Sequence, residues 1–158
     1  MSIHGFDHVS LPTADPEALI AFYRRLGFPI LYEQEWRSGE FPMFAIQIGP
    51  DSKINVHPPE MWQNPDFEAK GPTAKPGCGD LCFAFGGSIE EAQELIRQAG
   101  SEIAYGPYDQ RGGGHAGQRL GTSVYTRDPD GNLLEFMTYP AAGSGQPGGL
   151  DDFQDSDR

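Results

Sequence analysis

Four side chains in this sequence have the chemistry to hold a divalent metal ion. They stand one each in short strand-like runs: His8 in GFDHVSL, His57 in SKINVH, Asp80 in GDLCFAF and Glu135 in LLEFMT. Two imidazoles and two carboxylates suit a first-row divalent ion such as Fe, Mn, Ni, Co or Zn. Such a set leaves one or two positions for water or a small-molecule substrate. Taken singly, each residue is ordinary, since a lone histidine on a strand usually serves as a hydrogen-bonded structural group. Glu135 is the hardest to dismiss. It lies between Leu134 and Phe136, and a carboxylate buried in such a strand is costly unless it is paired or bound to a metal.

Parity makes the spacing informative, because side chains alternate faces along a strand. Phe6, His8 and Ser10 share one face against Val9 and Leu11, and Lys53, Asn55 and His57 stand together against Ile54 and Val56. Cys78, Asp80, Cys82 and Ala84 oppose Leu81, Phe83 and Phe85. Leu133, Glu135 and Met137 oppose Leu134 and Phe136. One face of each strand is apolar and suited to lie beneath a helix. The other carries one metal-capable group per strand.

The elements that must position these groups recur in two rounds. Gly5 to Leu11 reads as a strand, and a helix follows with Asp15 as N-cap and Pro16 at its first position. Its apolar stripe is Leu19, Phe22, Tyr23 and Leu26, and Gly27 stops it. Pro29 to Trp36 and Phe41 to Ile48 read as strands joined through Arg37-Ser38-Gly39-Glu40. Ser52 to His57 is a further strand, closed by Pro58-Pro59. A polar connector then carries Trp62 and Phe67 as packing anchors. The second round opens with the strand Gly79 to Phe85. Ser88 and Glu91 form a capping box, Ala92, Leu95, Ile96 and Ala99 a stripe, and Gly100 a stop. A short strand from Glu102 to Tyr105 precedes the hairpin from Ser123 to Tyr139. There Asp128-Pro129-Asp130-Gly131 has the residues a type I turn needs.

Strand, helix, strand, strand, strand thus occurs twice, a repeat that decides the fold reading. The chain reads as α+β, with two tandem βαβββ modules over about 4–58 and 79–139 and a connector over 59–78, all within one domain of residues 1–140. A pseudo-twofold relating the modules pairs His8 with Asp80 on the opening strands and His57 with Glu135 on the closing ones. All four then come to a common centre.

Bulk properties narrow the partners. The net charge of −12, from 23 acidic and 11 basic residues, excludes the basic face that nucleic acid requires. Asp151, Asp152, Asp155 and Asp157 against Arg158 place part of that charge in residues 141–158, a Gly-, Ser- and Asp-rich stretch that reads as a flexible tail. A mean hydropathy of −0.50 and no long apolar run predict a soluble, cytoplasmic protein without a membrane span. Cys78 and Cys82, spaced C-x3-C, match neither a thioredoxin pair nor half a zinc ribbon, and read as buried or half-buried thiols.

FDHVSL, a helix ending FYRRLGF, and SVYTRDPDGNLLEF together resemble the vicinal oxygen chelate superfamily: glyoxalase I, extradiol dioxygenases, fosfomycin-resistance and bleomycin-binding proteins. The resemblance covers about residues 4–139, and DPDGN followed by an apolar pair and Glu is its most specific piece. SKINVHP and PGCGDLCF look closer to the subgroup of glyoxalase domain-containing protein 5 and its bacterial relatives. The resemblance implies a cupped sheet around a metal, and a homodimer. His8 matches its first-strand ligand and Glu135 its last-strand ligand. His57 stands where many glyoxalases carry Glu, and Asp80 where most members carry the second module's His. Exchanging that imidazole for a carboxylate hardens the site and favours Mn, Fe or Ni.

Three activities follow as expectations. The first is an isomerase- or lyase-type proton transfer through an enediolate, with Glu135 or Asp80 as base. The second is extradiol ring cleavage, with His8, His57 and Glu135 around Fe. The third is sequestration of a cationic drug without catalysis, which the acidic charge favours. Arg111-Gly112-Gly113-Gly114-His115 reads as a flexible hairpin loop, or as a lid that places Arg111 or His115 over a substrate. Tyr32, Trp36, Met43 and Phe44 read as core, or as the lining of an apolar pocket.

Overall fold

A computed structural model of the chain describes residues 2–3 and 5–140; the stretch read as an acidic tail lies outside them. In the first half, β1 (His8–Pro12), α1 (Pro16–Arg25), β2 (Ile30–Leu31), α2 (Glu33–Ser38), β3 (Phe44–Gly49) and β4 (Ser52–His57) succeed one another. A one-turn helix, α3 (Pro59–Trp62), opens the connector. The second half runs β5 (Asp80–Phe85), α4 (Ile89–Gln98), β6 (Tyr105–Gly112), the turn α5 (Gly114–Gly117), β7 (Arg119–Arg127) and β8 (Leu133–Thr138). The strands form two four-stranded mixed sheets of the same plan, ordered β1-β4-β3-β2 and β5-β8-β7-β6. In each, the opening strand lies parallel to the closing one and the other pairings are antiparallel. The α+β fold with two βαβββ units is the one the repeat implies.

The two long helices begin and end for local reasons. The Asp15 carboxylate accepts from Ala18 N at 3.0 Å, and Pro16 occupies the first turn. Ser88 and Glu91 close a full capping box on α4. Gly27 and Gly100, at φ +88° and +78°, take the left-handed conformation that lets each helix turn out of its last coil. The buried stripes of both helices meet the apolar faces of both sheets in one cluster. Leu19, Ile20, Phe22 and Tyr23 of α1 join Ile54 and Val56 of β4, Ala92 and Ile96 of α4, and Leu134 and Phe136 of β8. Each large side chain removed from water there contributes about 2 kcal/mol.

Polar contacts at the β7–β8 turn, two of them between the modules, reinforce that core. The Tyr23 hydroxyl donates to Asp128 Oδ2 at 3.2 Å, Asn132 Nδ2 donates to the same oxygen at 2.8 Å, and Ala14 N donates to Asp130 Oδ1 at 2.7 Å. The DPDG turn therefore closes its hairpin, with Gly131 N donating to the Asp128 carbonyl at 2.9 Å, and also fastens module two to α1. Burial raises the Asp128 carboxyl above the ordinary carboxylate value despite these donors.

Three expectations need correction. Residues 33–38 form a helix, where a strand was expected to run from Pro29 to Trp36. Glu33 pairs with Arg37 one turn on, Arg37 also bonds Glu17 of α1, and Gly39 caps the end at φ 78°. These tertiary pairs, added to good helix formers, outweigh the β-propensity of Trp36. Next, β6 runs from Tyr105 to Gly112, and Glu102 to Ala104 precede it. Arg111 and Gly112 are thus strand residues paired with Leu120 and Arg119 of β7, so only the turn from Gly113 remains as loop. Finally, both cysteines are solvent-exposed; Cys82 sits on an edge strand, on the face away from the core. Of the residues read as core or pocket lining, Phe44 is wholly buried and Tyr32 is 43 % exposed.

Tyr23→Phe removes one donor from the buried Asp128 carboxylate and is expected to cost about 2 kcal/mol. Equilibrium urea unfolding measures it, and an unchanged midpoint would show that the contact carries no weight.

Candidate active site

On the first sheet, the face turned from the core carries His8 and Ser10 of β1, Lys53, Asn55 and His57 of β4, and Gln47 of β3. The register aligns His8 with Lys53, Ser10 with Asn55 and Gln47 with Lys53. His8 Nδ1 bonds the Asp7 carboxylate at 2.6 Å, and that bond lowers the Asp7 pKa. A carboxylate on one ring nitrogen fixes the tautomer and orients the other, as it does for metal-ligating imidazoles. His57 is 5 % exposed and lies edge-on to the Phe67 ring at 5.2 Å. Burial, aided by the Lys70 ammonium, lowers its pKa, so the ring is held in the neutral form that can ligate a metal.

On the second sheet the corresponding face holds Asp80 and Cys82 of β5, Glu135 of β8, Ser123 and Tyr125 of β7, and Gln110 of β6. Glu135 is aligned with Cys82 on one side and Tyr125 on the other. Its Oε1 accepts from the Ser123 hydroxyl at 2.5 Å and from Gln110 Nε2 at 2.5 Å. Gln110 Nε2 also donates to the Tyr125 hydroxyl. A carboxylate has no proton to give, so only the amide nitrogen of Gln110 can face Glu135. Among the described residues neither oxygen of Glu135 has a cationic partner, and the Cys82 thiol and Tyr125 hydroxyl also lie within hydrogen-bonding reach of the carboxylate. Protein atoms crowd the Cys82 thiol although it meets solvent. That desolvation, followed by the Glu135 charge, pushes its pKa up to about 12. Tyr125 is raised first by desolvation and also by Glu135, while Gln110 acts in the opposite direction.

The structure places the predicted residues on two outward sheet faces. His8 and His57 share one but stand four residues apart in the β1–β4 register, His8 opposite Lys53 and His57 opposite Pro12. Asp80 and Glu135 share the other, two residues apart. The expected equivalence of His57 with Glu135 needs correction, because the register makes Asn55 the counterpart of Glu135. Within one chain the structure does not bring the two faces together: among the described residues no three His, Cys, Asp or Glu side chains are grouped to hold a metal ion. Arg111 and His115 stand apart from the Glu135 group. By alternation Arg111 lies on the opposite face of β6 from Gln110, and His115 sits in a turn with left-handed backbone at φ 51°. Beside His57, a groove of about 870 Å³ opens between α2 and α3, lined by Trp36, Phe41, Pro42, Met61 and Phe67. Gln110, Ser123 and Tyr125 were not among the expected site residues. The hairpin turn already placed Tyr125 opposite Glu135, but Gln110 lies in a polar run with no strand signature of its own.

Singly, these donors are of the kinds that bind a first-row divalent ion: an imidazole oriented by a carboxylate, a second kept neutral by burial, and a glutamate held through Oε1. A protein of two paired βαβββ modules is a defined class. Residues 5–136 match the family model of the Glyoxalase/Bleomycin resistance protein/Dioxygenase superfamily, and the chain belongs to that superfamily. It is 33 % identical over 142 residues to the glyoxalase domain-containing protein RDO1 of Mycosarcoma maydis, covering 90 % of this chain and 72 % of that protein. It is 36 % identical over 140 residues to virulence protein STM3117 of Salmonella typhimurium, covering 88 % and 87 %. The crystal structure of STM3117 superposes with a TM-score of 0.71 over 89 % of this chain and 100 % of that one. The integron cassette protein VCH_CASS1 of V. cholerae, at 32 % identity, gives 0.72 over 89 % and 98 %. No helix among the described residues is long and apolar enough to cross a membrane.

His57 yields a pH prediction. Its folded pKa lies below the ordinary 6.5, so the unfolded chain binds the proton more readily. The stabilisation is complete above that value and is lost as pH falls through it toward the folded pKa. In chelator-treated protein, His57→Gln is expected to flatten the fall of Tm between about pH 7.5 and 5. An identical slope in the variant would contradict the assignment.

Proposed function

We propose that this protein is a metal-dependent enzyme of the glyoxalase type, acting on a small substrate with oxygens on neighbouring carbons and moving a proton between those carbons. The observation that carries the reading is the Glu135 carboxylate, clamped through Oε1 by Ser123 and Gln110 on an outward face with no cation to pair it. A divalent ion, when bound, supplies the Lewis acidity that makes a proton beside the substrate oxygens removable. His8, His57 and Glu135 are the residues that hold it. Asp80, at the exposed start of β5, is the base that takes and returns the proton, or a fourth ligand.

The halves are completed in a homodimer, His8 and His57 of one chain facing Asp80 and Glu135 of the partner subunit. Support comes from the arrangement within the chain. Both sheets spend their apolar faces on one core, which leaves the two polar faces outward. Tyr108, 56 % exposed, lies on the second of those faces opposite Ser123, and Phe6, 87 % exposed, stands just before β1, apolar surface that a partner would cover. A second reading, non-catalytic binding of a cationic drug, is favoured by the groove between α2 and α3, whose aromatic lining of Trp36, Phe41 and Phe67 also includes Glu60.

Elemental analysis of untagged protein purified without chelator tests the metal directly, with about one equivalent per chain expected for a symmetric dimer. His57→Ala and Glu135→Gln should each lose most of it while keeping the fold by circular dichroism. Full metal occupancy in both variants would sink the ligand assignment and leave drug binding in front. Asp80→Ala separates its two roles: normal metal content with lost turnover identifies a base, and lost metal identifies a ligand.

A further inference from the structure

An apolar cleft of about 680 Å³ opens where the two modules meet, along the free edge of β5. Leu26, Phe28, Phe83, Phe85, Leu95 and Phe136 line it, and Phe28, Phe83, Phe85 and Leu95 are only partly buried. β5 ends its sheet, so no strand pairs with it on that side. Leu133 N donates to the Gly79 carbonyl across the β5–β8 ladder. By alternation, the backbone groups of Cys82 and Ala84, both in the cleft wall, turn to the open edge. Apolar rings beside an unpaired strand edge form a surface that calls for a cover.

Residues 141–158, outside the described stretch, fit as that cover for three reasons. β8 pairs with β5, and Thr138 is aligned with Phe85 at one end of the cleft, so the chain leaves the described residues at Pro140 close by. From there AAGSGQPGG separates Pro140 from Leu150. A Gly- and Ser-rich segment of this length spans about 16 Å, enough to pass the roughly 10 Å of edge between Phe85 and Cys82. Finally, Leu150 and Phe153 bracket Asp151 and Asp152, which puts apolar and acidic groups together. The C-terminal ends of α1 and α4, which bring Leu26 and Leu95 to the cleft, also carry Arg25 and Arg97. Among the described residues Arg25 bonds the Ala99 carbonyl but forms no ion pair, and Arg97 meets only exposed Glu94 at 3.7 Å. We propose that residues 150–153 dock in this cleft, with Leu150 and Phe153 among its rings and the two aspartates on Arg25 and Arg97. Two apolar side chains hold a free peptide weakly, but a tether this short supplies a millimolar local concentration. Docking also covers Cys82, aligned with Glu135, and so shields the Glu135 face along its β5 side. The inference stands apart from any metal.

Hydrogen exchange of the full-length protein, read by mass spectrometry, tests this on the Cys82 and Ala84 amides. Leu150→Ser together with Phe153→Ser is expected to speed exchange there about tenfold, the factor for a segment docked roughly nine-tenths of the time. Asp151→Asn together with Asp152→Asn should give a smaller increase, and the amides of β7 should not change in either variant. A benzophenone in place of the Phe153 ring should cross-link to the cleft, within residues 26–29 or 82–85. Equal exchange in the parent and the apolar double variant overturns the inference, and so does a cross-link outside the cleft. An unchanged rate in the aspartate variant overturns the two ion pairs. Protection that survives the apolar variant but falls on dilution assigns the cleft to a second copy, and overturns the docking as well.

Discussion

The rest of the structure depends on how two modules share one core. A sheet of four strands with a single helix cannot bury its apolar face alone, and here each module uses the other to finish the task. Tyr23 of α1 reaches the Asp128 carboxylate, Phe28 packs on Phe83 at 5.3 Å between ring centroids, and Arg25 Nε donates to the Ala99 carbonyl at 2.7 Å. Once both apolar faces are committed to that core, the faces bearing His8 and His57 and those bearing Asp80 and Glu135 are left outside it. The same packing that stabilises the chain therefore divides its metal-capable residues into halves.

Within each half the fold still supplies precision. β8 carries Glu135 between two neighbouring strands, and those strands, with β6 beyond, contribute the groups that surround it: Cys82, Tyr125, Ser123 and Gln110. Such preorganisation matters for a ligand or base, because a carboxylate free to rotate would lose part of its interaction energy to side-chain entropy. The first sheet does the same for His57 by burial against Phe67 and for His8 through Asp7.

The repeat, both long helices with their caps, and the face of every candidate ligand were legible because each follows from a local rule: periodicity, capping or alternation. The misread parts depend on contacts distant in sequence. The helix Glu33–Ser38 is held by Arg37 reaching Glu17 at 2.6 Å, and Tyr32 turns the chain with a backbone no residue type announces. β6 reads YGPYDQRG, with no apolar alternation, because it is an edge strand that β7 recruits through hydrogen bonds. Gln110 stayed hidden for that reason. Parity assigned His8, His57, Asp80 and Glu135 to faces, but it is silent on which face meets which. The packing of α1 and α4 settles which faces the core takes.

The central claim is that a complete metal site takes its two halves from different chains, and mixing two defective variants tests it most directly. His57→Ala and Glu135→Gln are each expected to bind little metal alone. Co-refolded in equal amounts, they should yield heterodimers in which one site inherits both intact halves and the other neither, restoring about a quarter of the parent metal capacity. Metal content of the mixture that stays at the level of the separate variants, with heterodimers confirmed by native mass spectrometry, would contradict the account and place the site within a single chain or nowhere.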